Sequence, residues 1–189
     1  MARQDTQPGP RASAGRVPPG SRIAARLPGA DFHDAWVVLP PAGAVAPDTP
    51  VLEHVLAVLR QTPGWIDACM VLRNRAVRPL GLKDLGRLSD LPAGKAAADY
   101  RSGERVGIFT LLEHSADEVL LGDSDHHLDV VVSLHRQHRA GDGATVLTLS
   151  TVVHLKSRLG ALYMLPVRPA HGLIARAMAT ALARPLTPP

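Results

Sequence analysis

The sequence predicts an α+β fold in which a curved antiparallel sheet wraps around a long C-terminal helix, with two short helices after the first strand. Three observations predict it. Apolar residues recur at helical spacing twice in succession after an N-terminal strand-like segment; four strand-like segments crowd the stretch after residue 104; and an apolar helical stripe closes the chain.

Asp31-Phe-His-Asp-Ala-Trp-Val-Val-Leu39 reads as the first strand, ended by Pro40-Pro41. Pro50, behind a Thr49 cap, opens a helix in which Val51-Leu52, Val55-Leu56 and Val58-Leu59 keep the helical period. Pro63-Gly64 breaks it, and a second helix starts at Trp65 and continues through Ile66, Cys69, Met70 and Leu72-Arg73-Asn74 towards Pro79. Residues 84–103 are polar and rich in Gly and Ala, which predicts a long loop. Strands follow at Arg105 to Glu113, Glu118 to Gly122, His126 to Arg136 and Ala144 to Leu155, divided by turn residues that include Gly141-Asp142-Gly143. In the last helix, Leu159 to Leu182, the buried stripe is Leu173, Ile174, Ala177, Met178, Ala181 and Leu182. Pro166 and Pro169 are expected to kink or interrupt its beginning, because each removes a helical N–H. This order is that of a helix-grip domain with a cavity between sheet and final helix.

A chain of 189 residues that is 46% hydrophobic suits one domain, placed at 22–183. Residues 1–21, dominated by Pro, Gly, Arg, Ser and Gln, predict a disordered basic tail, and 184–189 a flexible C-terminus. Aromatic residues make up only 3%, so an interior pocket has aliphatic walls that suit a greasy ligand. The pI near 9.8 does not describe a nucleic-acid binder. Residues 1–22 carry Arg3, Arg11, Arg16 and Arg22 against Asp5, a net of 4 − 1 = +3, which leaves 4 − 3 = +1 for the rest. The single cysteine, Cys69, forms no internal disulfide and reads as a buried thiol in a reducing compartment. With no long apolar run for a leader or a membrane span, the cytoplasm is the expected location.

The most function-like residues lie on one hairpin. His127, Asp129, Val131, Ser133 and His135 alternate with the apolar His126, Leu128, Val130, Val132, Leu134 face, and His154 shares the polar face of the next strand. A reversal centred between Ala140 and Gly141 sets His127 opposite His154; a slip of two residues preserves the faces and brings His154 beside Asp129. Two imidazoles beside a carboxylate make a general acid/base. Pointing away from the apolar face, they equally suit a solvated surface or an interface. A two-His-one-carboxylate metal site is disfavoured because such oxygenases use a larger double-sheet scaffold, and His135-x-x-His138 straddles a strand end. His171 lies near the buried stripe of the last helix; with Tyr163, Trp65, Arg73 and Asn74 it is a candidate pocket-lining residue. Phosphate-cradling loop, nucleophile elbow and CxxC motifs are missing from the sequence.

Pro63-Gly-Trp65 with Leu72-Arg-Asn74, Leu120-Leu-Gly-Asp123 with Asp125-His-His-Leu-Asp129, Thr151-Val-Val-His154, Leu159-Gly-Ala-Leu-Tyr163 and Pro166-Val-Arg-Pro-Ala-His171 together resemble the bacterial domain of unknown function family 2867 over most of residues 22–183. The resemblance implies grouping with START-like, polyketide-cyclase-like proteins and a ligand cavity under the last helix, and it directs attention to His127, Asp129, His154 and His171. The chain departs from the pattern at Lys156-Ser157, where an Asn is expected, and at Ala170, where an aromatic is expected. A changed pocket follows from that departure.

The expected function is therefore cofactor-independent acid/base chemistry on an apolar small molecule, of cyclase, dehydratase or isomerase type and of the kind used in secondary metabolism. His127 or His154 is the expected acid/base and Asp129 its orienting partner. The alternative is a non-catalytic carrier or sensor of a hydrophobic ligand, with the histidines structural or at a homodimer contact. Neither reading calls for a metal, a nucleic acid or a membrane.

Overall fold

A computed structural model describes residues 12–41, 43–46 and 48–184. The fold is α+β and helix-grip in form. Seven antiparallel strands run β1 (Ser13–Ala14), β2 (Phe32–Val38), β3 (Arg105–Val106), β4 (Phe109–His114), β5 (Glu118–Ser124), β6 (Leu128–His138) and β7 (Thr145–Leu155), in the sheet order β1-β2-β7-β6-β5-β4-β3. Two helices, α1 (Val51–Arg60) and α2 (Gly64–Val77), follow β2, and α3 (Arg158–Leu182) closes the chain. Among the described residues no helix is long and apolar enough to cross a membrane.

Alternation divides the sheet into two faces. Towards the helices point Val132 and Leu134 of β6 with Leu147, Leu149 and Thr151 of β7; towards the N-terminal segment point Val131, Ser133 and Val152. α1 buries Val51, Leu52, Leu56 and Leu59 on the helix side, each burial contributing about 1.5–3 kcal/mol. Arg136, at the end of that face, is buried and ties the loops before α1 and β5 together, donating to the carbonyls of Thr49 (2.8 Å) and Ala116 (3.1 Å) and to Asp117 (2.9 Å).

The N-terminal segment corrects the expected tail. Residues before 12 lie outside those described, but Ser13 and Ala14 pair with Val37 and Trp36, and Val17 and Ile23 pack on Leu120, Val131 and Val152. The buried Glu118 carboxylate fixes this strap, accepting from the N–H groups of Arg22 (2.6 Å) and Ile23 (3.2 Å) and from Ser133 Oγ (2.7 Å). Within residues 12–21 the Pro/Gly-rich composition hid buried anchors at Ala12, Val17 and Ser21. The expected C-terminal segment after Arg184 lies outside the described residues.

Two other expectations change. α3 runs unbroken through Pro166 and Pro169; the carbonyls whose helical partners these prolines remove belong to Leu162 and Leu165, both exposed residues on the solvent side of the helix. Of the expected stripe Leu173 is not buried but 69% exposed, while Met178 and Leu182 are buried, joined by Met164, Ala175 and Ala179, and Ile174 and Ala177 pack against the core.

Candidate functional site

Between the sheet, α2 and α3 lies a cavity of about 550 Å³. Its floor is Val130, Val132 and Leu134 of β6 with Leu149, Thr151 and Val153 of β7, and its walls are Met70, Leu72 and Arg73 of α2 and Tyr163, Val167 and Ile174 of α3. Cys69, Leu72, Ala76, Pro166 and Ala170 line the cavity and are also exposed, so its mouth opens between the two helices. The lining residues with a side-chain oxygen or nitrogen are Arg73, Asp123, Thr151, Tyr163 and His171, among the described residues.

One polar group in the wall is a histidine–carboxylate pair. His171 on α3 meets Asp34 on β2, Nε2 to Oδ2 3.0 Å, and the same oxygen accepts from Trp36 Nε1 at 3.1 Å. The strand period turns Phe32, Asp34 and Trp36 to one face, and Asp34 pairs with Thr151 across β2 and β7. Burial raises the Asp34 pKa, but hydrogen bonds from His171, Trp36 and Thr151 and the charge of His171 outweigh it, so the carboxyl ionises below its ordinary value. An ionised Asp34 accepts the Nε2–H, and Nδ1 is left as the basic nitrogen of a ring that lines the cavity. The edge of that ring lies against Phe32, centroids 5.5 Å apart at 90°.

The second polar group is at the α2 side. Arg73 Nε donates to Tyr163 Oη at 3.1 Å, and the Tyr163 ring meets His127 edge-on at 5.0 Å and 85°. Asp123 lines the same cavity with Lys83 Nζ 4.0 Å from its carboxylate.

The hairpin takes the slipped register. Asp129 pairs with His154 and Leu128 with Leu155, so His127 does not face His154. The loop reverses between Gly141 and Asp142, where Gly141 (φ 107°) and Gly143 (φ 65°) take left-handed conformations and the Arg139 N–H donates to the Ala144 carbonyl (2.8 Å). His127 leaves the strand altogether and sits buried in the β5–β6 turn, Nδ1 3.6 Å from Asp125, with burial and then the Arg73 charge lowering its pKa against the pull of Asp125. Asp129 and His154 lie on the face opposite the cavity. Asp129 is paired with Lys156 at 2.6 Å, and His154 Nε2 meets the Arg26 carbonyl at 2.8 Å. His127 is therefore parted from Asp129 and His154, which neighbour each other across β6 and β7 on the face away from the cavity. Among the described residues no group of three or more His, Cys, Asp or Glu is placed to hold a metal ion.

Of the expected pocket residues, Arg73, Tyr163 and His171 line the cavity. Trp65 is 47% exposed and does not, while Asn74 turns away to donate to the Gly86 carbonyl (3.1 Å) and so tethers α2 to its loop. Cys69, expected to be buried, is exposed at the mouth. Asp34 escaped attention, although it is the single charge on the inward face of an otherwise apolar strand.

Fold and cavity together define a helix-grip domain with an apolar interior pocket. The chain belongs to a family of proteins of unknown function, DUF2867, whose model matches residues 26–178. Comparisons with curated proteins and with solved structures found no match.

Proposed function

We propose that this protein binds an apolar small molecule in the cavity and moves a proton on it, as a cofactor-independent enzyme of cyclase, dehydratase or isomerase type. The observation that carries the reading is the histidine–carboxylate pair, whose His171 lines a mostly apolar cavity. His171 Nδ1 takes or returns the proton, and Asp34 holds the ring in the tautomer that makes Nδ1 basic. The aliphatic lining excludes water and supplies shape; a pocket of this volume falls in the range used for small ligands, roughly 300–1,000 Å³. An apolar hollow left empty costs stability, which favours a resident ligand.

The experiment is solvent-deuterium incorporation next to the carbonyl of an apolar β,γ-unsaturated ketone in D₂O, followed by NMR. Wild-type protein is expected to accelerate exchange, and His171→Gln to lose that acceleration by about 10²–10⁴-fold, the range of a general acid/base. Tight ketone binding with no exchange in the wild type favours a carrier or sensor of the same ligand instead.

A further inference from the structure

We propose that the ligand of this cavity carries a carboxylate, held between the Nη2 edge of Arg73 and the hydroxyl of Tyr163; this rests on the small-molecule reading above and names its substrate class. Arg73 is half-buried beside an apolar lining and has no carboxylate within salt-bridge distance among the described residues. Its Nε donates to Tyr163 Oη (3.1 Å), and Nη1 donates to Asn74 Oδ1 (3.1 Å) and to the Lys83 carbonyl (2.5 Å). These bonds fix the guanidinium plane from one side. Nη2 makes no hydrogen bond among the described residues, so two N–H groups of a permanently charged fork remain open.

Tyr163 completes the cradle. Because its oxygen accepts from Arg73, its own O–H proton is directed elsewhere, and both groups belong to the cavity lining. A partly buried cation without a counter-charge is available to an anion, and a carboxylate meets it with charge-assisted bonds. Asp123 is the opposing charge in the lining, and Lys83, 4.0 Å away, offsets it. The remaining lining is apolar as far as the His171 wall, so the ligand has an acidic head at α2 and an apolar body running along the sheet.

The full-length protein titrated with cis-parinaric acid and with its methyl ester tests this. Both probes fluoresce in apolar surroundings, and only the acid has the anionic head. Wild type is expected to bind the acid at least about tenfold more tightly than the ester, the worth of a charge-assisted bond pair. Arg73→Met should reduce acid affinity to that of the ester while leaving the ester unchanged, which also shows that the variant is folded. Tyr163→Phe should reduce the acid preference several-fold, and Asp123→Asn should strengthen it. Equal affinity for acid and ester in the wild type overturns the head-group site and leaves the apolar cavity standing. An acid preference that survives both Arg73→Met and Tyr163→Phe, or loss of both probes together in Arg73→Met, also overturns it. Failure of both probes to bind the wild type saturably removes the cavity reading and this proposal with it.

Discussion

His171 and Asp34, 137 positions apart in the chain, meet with Nε2 and Oδ2 3.0 Å apart in the wall of an apolar cavity. The contact joins α3 to β2, and it is the place where the fold and the proposed chemistry coincide.

Asp34 orients His171 rather than touching the ligand. Asp34→Asn is expected to slow proton exchange by at least about tenfold while leaving ketone affinity unchanged. In the wild type a downfield imidazole N–H resonance should be present, and in Asp34→Asn absent, as read by proton NMR. Retained resonance with retained activity in the variant contradicts the positioning role.

His154, by contrast, is on the face away from the cavity, bonded to the Arg26 carbonyl. His154→Ala should leave deuterium exchange within about twofold of wild type and cost about 0.5–1.5 kcal/mol of stability through one lost hydrogen bond. Urea unfolding alongside the exchange assay checks both parts.

Gly160 in the first turn of α3 is packed so closely on the β5–β6 turn that an added Cβ would come 2.2 Å from the His127 carbonyl oxygen. Because that oxygen also accepts the Lys156 N–H at 2.9 Å, the turn cannot retreat freely. Gly160→Ala is expected to destabilise by about 1–3 kcal/mol, measured by urea midpoint.

His54 is buried with Nε2 unpartnered, and burial, then the Arg136 charge, bring its pKa down to about 4 from an ordinary 6.5. Between those values the unfolded chain binds a proton that the folded protein does not. Stability is therefore full above about pH 6.5 and lost as pH falls towards 4, by at most about 3 kcal/mol. His54→Leu should flatten the fall in urea midpoint across that window, leaving a smaller slope from His127, whose pKa is lowered in the same sense.

The period of two in β6 and β7 and the helical period of α1 and α3 are written locally, so the fold class and most elements could be read from the sequence. Register was harder. Two left-handed glycines moved the reversal by one residue, and every paired position moved by two with it. The site was legible only in halves: His171, Arg73 and Tyr163 drew notice as pocket residues, but their partners come from distant strands and loops. The conspicuous His126-His127-x-Asp129 run misled because a histidine cluster in sequence carries no information about which side of the sheet it reaches. Asp34 had a signal, one carboxylate among Phe32, Trp36 and Val38 on an inward face, and a buried charge there calls for a partner.

Binding inside the cavity is the central claim, and Val132→Trp tests it most directly, because strand alternation points that side chain into the cavity from its floor. The measurement is a fluorescence titration with the neutral dye N-phenyl-1-naphthylamine, run beside thermal unfolding. The cavity predicts saturable binding to wild type, loss of at least about tenfold in affinity in Val132→Trp, and no loss of stability, since the indole fills existing space. Unchanged dye affinity in a folded Val132→Trp, or no saturable binding by the wild type, contradicts it.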